Sequence, residues 1–177
     1  MEIKECIKGR RSVRKYAYEK IERSVIEEIV KAAQYAPSWK NTQTARYYAA
    51  ITPEAIEAIH SCLPSFNRER TEGVGAYIVT SLKKGLSGCN SEGQYVSHLG
   101  NGYECFDNGL AVENMLLYAH SLGYSSLIMG LFDEARLRVV LDIPADEELV
   151  VVVALGRRDV DPQRPERLAT DDVLKVF

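Results

Sequence analysis

The chain has 177 residues, of which 22 are Lys or Arg and 25 are Asp or Glu, so its formal net charge is -3. A chain of this length has room for one substantial core, and we expect residues 1–177 to form a single domain. The charge balance provides no general attraction to nucleic acid or to an anionic membrane, so neither is expected as a partner.

The N-terminal residues alternate between charged and apolar side chains, and they contain no apolar stretch typical of a secretory signal. Ile3, Cys6 and Ile7 fall on one face of a possible short helix over residues 1–8. The longest purely apolar run, 149–155, has seven residues, whereas a helix that spans a bilayer needs ~20. We therefore expect a cytoplasmic protein whose four cysteines are free thiols and which holds no metal ion.

A longer helix is predicted from about Ser24 to a point before Pro37. Ser24 and Glu27 have the spacing of a capping box, and apolar residues recur at helical intervals from 25 to 33. The helix must end before Pro37, because the residue that precedes a proline avoids helical geometry.

The next part of the chain favours a strand over 46–51, followed by a helix that Thr52 caps and Pro53 begins. A second strand is predicted over 76–81. Residues 83–104 contain several glycines and show no clear period. Such a long connection is either a binding loop or lid, or an insertion that the fold tolerates.

The strongest helical pattern spans 106–122 and has little polar face, which predicts a buried central helix that ends at Gly123. Glu113 lies within this apolar run, so its carboxylate needs a partner. A strand over 125–129, a helix capped by Asp133 and a buried strand over 149–155 follow.

A polar tail with an apolar end, 161–177, completes the chain. Helices and strands alternate irregularly around one fully buried helix, which predicts an α+β layered domain with a sheet of four or more strands.

Three segments carry residues suited to a ligand. Arg10, Arg11, Ser12 and Arg14 lie close enough in sequence to surround one phosphate, since guanidinium groups fork onto phosphate oxygens and a hydroxyl adds a neutral donor. A solvated basic surface is the more ordinary explanation of such a charge run taken alone.

The second segment, 36–43, reads APSWKNTQ and places short amides on an irregular backbone. Amides offer paired donors and acceptors, which suit the edge of a flat heterocycle. The alternative is an ordinary helix-to-strand loop. Trp39 either stacks on a ring or packs in the core.

The third segment surrounds Gly130, which follows the predicted strand 125–129 and allows a ligand to approach the backbone closely. Four arginines follow the last strand, at 157, 158, 164 and 167, and one or two of them are candidates to complete a phosphate pocket. For Arg157 and Arg158 we favour a solvated tail. The sequence contains no G-x-S-x-G, H-E-x-x-H or P-loop motif, so hydrolytic and nucleotide-triphosphate chemistry have no support.

The order of these motifs resembles the nitroreductase family of FMN-binding flavoproteins. The matching motifs are, in chain order, RRSVR, APSWKNTQ, a D-x-G-x-A-x-E-x-M helix that ends in LGY, IMGLF, ALGRRD and the tail QRPERLATDDVLKVF. Coverage is nearly the whole chain, and 83–104 is its least family-like part.

The resemblance implies an α+β homodimer with a mostly antiparallel central sheet flanked by helices, a long buried central helix and FMN in each of two interface sites. It implies that Arg10, Ser12 and Arg14, with Arg11 in the same cluster, hold the phosphate and ribityl chain. Met129 and Gly130 would lie near flavin N5. The remaining positions implied to contact FMN are Pro37, Ser38 and Asn41 across the dimer, Trp39 and Gln43 beside them, and Arg164 and Arg167 at the phosphate.

The implied activity is transfer of a hydride from NAD(P)H, through FMN, to a small organic acceptor such as a nitroaromatic or a quinone. No side chain is assigned as a catalytic acid or base. Two alternatives stay open: a specialised flavin enzyme of the dehalogenase or flavin-fragmenting type, and a non-catalytic module that binds or stores FMN. The chain lacks a long helical insertion near its middle, which leaves the acceptor unassigned.

Overall fold

The computed structural model describes residues 1–177 and contains a four-stranded sheet with helices on both faces. The strands are β1 (Ala45–Ala50), β2 (Ala76–Lys83), β3 (Ser125–Met129) and β4 (Glu147–Gly156). The helices are α1 (Ile3–Gly9), α2 (Arg23–Gln34), α3 (Pro53–His60), α4 (Ser65–Arg70), α5 (Gly102–Ser121), α6 (Glu134–Leu141) and α7 (Thr170–Val173). None of these helices combines the length and hydropathy that a membrane crossing requires.

The strands lie in the order β1-β2-β4-β3, and every neighbouring pair is antiparallel. Successive side chains of a strand point to opposite faces, so the two central strands contribute to two cores. Tyr77 and its cross-strand partner Ala154 belong to the core that includes α3 and α6 residues. Ile78 and its partner Val153 belong to the core that includes α2 and α5 residues. The predicted α+β class with an antiparallel sheet is thereby confirmed.

The central helix α5 is buried as predicted, and its side chains at Met115, Leu116 and Ala119 are at most 1% exposed. It begins at Gly102, four residues before the predicted start. It ends just before Gly123, whose φ of 82° lies in the left-handed region that favours glycine. The Gly123 N–H donates to the carbonyl of His120 and closes the last turn.

Two predicted helix caps are confirmed and one is wrong. The hydroxyl of Thr52 accepts from the N–H of Ala55, and the carboxylate of Asp133 accepts from the N–H of Arg136. The capping box of Ser24 and Glu27 does not form, because α2 begins one residue earlier and Glu27 instead accepts from the Arg23 guanidinium at 2.7 Å. The additional helix α4 has only six residues, too few for a periodic pattern to reveal it.

Candidate functional site

The first ligand-binding segment lies beside β3. The N–H of Val13 donates to the carbonyl of Ser126 at 3.0 Å, and Ser12 forms a parallel bridge with the same residue. Gly130 follows the other end of β3, four residues along the strand and therefore about 13 Å away. The structure thus places the arginine–serine segment and the Met129–Gly130 backbone along one strand, although they are far apart in sequence.

The arginines of this segment differ in what they contact. Arg10 is partly buried, and its Nε lies 3.9 Å from a carboxylate oxygen of Glu113. The side chain of Glu113 is 52% exposed, so the expectation that this carboxylate is buried and needs a partner is wrong. Arg11 turns back and donates to the carbonyls of Lys8 and Arg10. The guanidinium of Arg14 has a single long contact of 3.5 Å, with the carbonyl of Ser12. Arg14 is exposed and has no carboxylate partner, so most of its donors are free to bind an anion.

His120 lies within the influence of three arginines, Arg158, Arg10 and Arg11. Burial, followed by the positive charges of Arg158, Arg10 and Arg11, lowers the pKa of His120 below its ordinary value. The imidazole is consequently neutral at pH 7. Glu113 and Asp161 lie beside the guanidinium groups of Arg10 and Arg158, so Arg11 and Arg14 are the arginines here without a carboxylate partner. Such charges attract an anion such as a phosphate.

The arginines after β4 fall into separate groups. The interpretation of Arg157 as part of a solvated tail is wrong, because its guanidinium donates to the carbonyl of Leu122 at 3.1 Å and lies 4.1 Å from the ring centroid of Tyr124. Arg157 thus satisfies a carbonyl at the end of α5. Arg158 pairs with Asp161 at 2.8 Å and is partly exposed.

Arg164 and Arg167 lie in the exposed tail, and neither guanidinium hydrogen-bonds to the segment 10–14. The guanidinium of Arg167 donates only to the carbonyls of Pro165 and Glu166. The assignment of Arg164 and Arg167 to the phosphate therefore stays a prediction.

The second segment, 37–43, forms a tight and strained loop. Lys40, Asn41 and Gln43 have φ values of 47°, 58° and 49°. Each of these residues has a Cβ, so the left-handed conformation costs about 1–2 kcal/mol at each position. Strain of this kind persists only where surrounding contacts hold it, and it clusters at ligand sites. One such contact joins the Gln43 N–H to the hydroxyl of Ser38 at 3.0 Å.

Asp107, at the start of α5, holds this loop in place. Its Oδ2 accepts from the Trp39 N–H at 2.8 Å and from the Ser87 hydroxyl at 2.5 Å, and the side chain is almost completely buried. The indole N–H of Trp39 donates to the carbonyl of Cys89, and its ring lies edge-on to Tyr103 with centroids 4.7 Å apart. Trp39 thus packs against the protein. Asp107 was not among the predicted site residues, although a carboxylate in an apolar helix was a signal for it.

Several polar groups near this loop have no partner within the chain. The hydroxyls of Thr42 and Thr44 are buried and unpaired, and the side-chain amides of Asn41 and Gln43 make no hydrogen bond. Unpaired buried hydroxyls cost free energy, so each such group calls for an explanation. A groove of about 850 Å³ borders the loop, and Ser38, Gln43, Thr44 and Asp107 contribute to its lining.

The backbone N–H of Gly130 is a further donor without a partner. Its N–H makes no hydrogen bond within the chain, and the residue is exposed. A Cβ built on Gly130 would meet no atom within 4 Å, so the space above it is open. Met129, which precedes it, is buried in the core and fixes the end of β3.

The 10–14 segment and the 37–43 loop contact different sides of α5. Arg10 contacts the helix at Glu113 and Trp39 contacts it at Asp107, six residues earlier. Six helical residues correspond to about 9 Å along the axis and about 120° around it. A single copy therefore presents the 10–14 segment and the 37–43 loop as separate surfaces.

The donors fit a flavin mononucleotide. A free guanidinium and a hydroxyl, at Arg14 and Ser12, suit the oxygens of a phosphate monoester. The amides of Asn41 and Gln43 and the N–H of Gly130 suit the polar edge of a flat heterocycle. The open space at Gly130 admits a ring close to the backbone.

The sequence is similar to proteins of a known family. The sequence matches the model of the nitroreductase family over residues 7–84 and 97–157. A protein of Methanothermobacter thermautotrophicus, provisionally named an NADH dehydrogenase/NAD(P)H nitroreductase, is 28% identical over 160 residues, which cover 88% of this chain and 77% of that protein. A protein of Archaeoglobus fulgidus with the same provisional name is 29% identical over 161 residues, which cover 87% of this chain and 86% of that protein.

Solved structures share the fold. A nitroreductase family protein from Streptococcus pneumoniae has a TM-score of 0.86 at 18% identity, with 99% of this chain and 100% of that chain covered. A protein from Exiguobacterium sibiricum, provisionally described as a nitroreductase and solved in complex with FMN, has a TM-score of 0.86 at 20% identity, with 100% and 98% covered.

Proposed function

The chain belongs to the nitroreductase family, and from this premise we propose that it binds FMN and passes a hydride from NAD(P)H to a small organic acceptor, such as a quinone or a nitroaromatic. One observation carries the proposal: the segment 10–14, which contains the free guanidinium of Arg14, lies beside β3 at Ser126, and the free N–H of Gly130 follows the end of the same strand. The FMN complex of a structural neighbour and the provisional names of the curated relatives support the cofactor and the reductant.

Bound FMN would supply the redox chemistry, because it accepts a hydride from the nicotinamide and delivers it to the acceptor. Arg14 and Ser12 would hold its phosphate within the positive region of Arg10 and Arg11. The N–H of Gly130 would donate to the ring, which orients it and stabilises negative charge that develops there. None of these contacts requires a side chain to exchange a proton.

The proposal is tested by the absorption of the purified protein under anaerobic conditions. We expect a flavin spectrum, with about one FMN released per chain on denaturation. Addition of NADH or NADPH should bleach the spectrum, and menadione, a flat quinone, should restore it.

A protein that fails to bind FMN at micromolar concentration would contradict the cofactor assignment. Bound FMN that neither NADH nor NADPH bleaches would instead indicate a module that stores the cofactor. Analysis of the organic product separates a simple reductase from a dehalogenase or a flavin-fragmenting enzyme.

We further propose that the active form is a homodimer with FMN at the interface. The 10–14 segment of one copy and the 37–43 loop of the other would then meet at one site, which agrees with their placement on different sides of α5. The tail also favours a partner, because Leu174, Val176 and Phe177 are at least half exposed in a single copy. The groove beside the unpaired edge of β1 is a surface on which such a tail can pack.

Sedimentation velocity of the FMN-loaded protein at low micromolar concentration measures this directly. We expect a single species with twice the mass of the chain. We also expect FMN and dimer to be lost together on dilution, because each copy supplies part of each site. A folded monomer that retains FMN would contradict both the dimer and the shared site.

A further inference from the structure

The connection between β2 and α5 is anchored to the proposed flavin loop. Asp107 accepts hydrogen bonds from both segments, from Ser87 and from Trp39. One turn earlier on α5, a carboxylate oxygen of Glu104 accepts from the N–H groups of Gly85 and Leu86. The match to the family model leaves out residues 85–96. Hydrogen bonds to α5 nevertheless hold this part of the chain beside the 37–43 loop.

A row of aromatic side chains leads outward from the flavin loop. Trp39 lies edge-on to Tyr103, and Tyr103 lies edge-on to Phe106, with centroid distances of 4.7 Å and 5.4 Å. We call Trp39, Tyr103 and Phe106 the aromatic row. Its outer member, Phe106, is 51% exposed and directly precedes the loop anchor Asp107.

The surroundings of the row keep its inner part rigid and its outer end open. Gly88 packs on Tyr103, since a Cβ at Gly88 would lie only 3.1 Å from the Cβ of that residue. Leu99 lies over Gly102, one helical turn before Phe106, and is 48% exposed. The exposed end of the aromatic row is thus apolar and flat. The buried carboxylates of Glu104 and Asp107 hold the segments around it by hydrogen bonds.

We propose that the aromatic row forms a wall of the acceptor pocket and that Phe106 selects flat, apolar acceptors over compact, hydrophilic ones. This inference rests on the proposed function, because the row borders the loop whose amides would reach the flavin ring. Aromatic rings attract one another in offset or edge-to-face geometry, so a quinone gains a contact at Phe106 that a small inorganic ion does not. Phe106 thereby acts on binding of the acceptor and takes no part in the transfer of electrons.

Two acceptors, menadione and ferricyanide, test the proposed wall, and both receive electrons that come from NAD(P)H. One NAD(P)H supplies two electrons and one proton, and a quinone takes these with a second proton from solvent to become the hydroquinone. Ferricyanide is a compact anion that takes one electron, so two ferricyanide ions are reduced to ferrocyanide for each NAD(P)H and a proton is released. The ratio of kcat/KM for menadione to that for ferricyanide therefore isolates recognition of the acceptor.

The experiment measures this ratio for the FMN-loaded protein and for Phe106→Ala, Phe106→Tyr and Tyr118→Ala. Tyr118 is a matched control, because it is a 36% exposed ring on the same helix, twelve residues and therefore about 18 Å along the axis from Phe106. We expect Phe106→Ala to lower the ratio about tenfold, which corresponds to about 1.4 kcal/mol, mainly through the KM for menadione. Phe106→Tyr, which keeps the ring, and Tyr118→Ala should stay within about twofold of the unaltered protein.

A ratio that stays within twofold in Phe106→Ala overturns the proposed wall, as does an equal loss in Tyr118→Ala. Failure of the proposed function is recognised separately, because bleaching of the bound FMN by NADH or NADPH is recorded before any acceptor is added. Thermal unfolding of each variant identifies any loss that comes from a change in the fold.

Discussion

Replacement of Arg14 by Ala is expected to weaken FMN binding by about 1.5–3 kcal/mol, which is roughly a 10- to 150-fold rise in Kd. Arg14 has one long contact within the chain, so its removal leaves no buried group unpaired and the fold should be unaffected. What would be lost is a set of charge-assisted hydrogen bonds to the phosphate. Arg14→Lys should lose part of this affinity, because an ammonium cannot bind two phosphate oxygens through a planar fork.

Quenching of flavin fluorescence on titration of the apo-protein measures this affinity at a stated salt concentration, since phosphate contacts weaken with ionic strength. Arg70→Ala is the matched control, because Arg70 is exposed and its guanidinium lies over Phe66, away from the 10–14 segment. If Arg14→Ala binds FMN as tightly as the unaltered protein, the segment is only a solvated basic surface.

Replacement of Asp107 by Ala is expected to lower the free energy of unfolding by about 2–4 kcal/mol. The carboxylate accepts two hydrogen bonds in a buried position, and its removal leaves the Trp39 N–H and the Ser87 hydroxyl without their partner. The same change should weaken FMN binding, because the left-handed residues of the 37–43 loop depend on surrounding contacts. Asp107→Asn keeps an acceptor oxygen and should lose less.

Urea denaturation of the apo-protein, followed by circular dichroism, gives the free energy of unfolding. Asp146→Ala serves as the control, because Asp146 forms an exposed ion pair with Lys83 at 3.0 Å. Exposed pairs contribute about 0–1 kcal/mol. An Asp107→Ala protein with the same urea midpoint as the unaltered protein would show that the loop is held by other contacts.

Features that depend on neighbours in sequence were predictable. The caps at Thr52 and Asp133 join residues three positions apart, and the glycine at 123 ends a helix through its own backbone conformation. The α5 helix and the buried strand β4 follow from the spacing of apolar residues. The capping box at Ser24 failed because a competing local interaction, between Arg23 and Glu27, was equally available to the same turn.

The candidate site was predictable only as separate segments. The types of residue at 10–14 and 37–43 indicate donors for a phosphate and for a heterocycle, because guanidinium and amide groups have fixed hydrogen-bonding geometry. The sequence did not indicate which of these segments lie together, because their proximity depends on the order of strands in the sheet. Arg157 shows the same limit: it looked solvated in sequence, and its partners Leu122 and Tyr124 lie more than thirty residues earlier.

The sequence by itself therefore determined the elements other than the short helices α4 and α7, most of their ends and the chemistry of the donor groups, because propensity, periodicity and capping act over a few residues. Only the tertiary structure decided that Ser12 lies beside Ser126, that Asp107 holds Trp39 and that the row from Trp39 to Phe106 ends at an exposed ring. These contacts join residues up to 114 positions apart. They form because burial of two cores on one antiparallel sheet brings distant segments together, and no local pattern encodes which segments will meet.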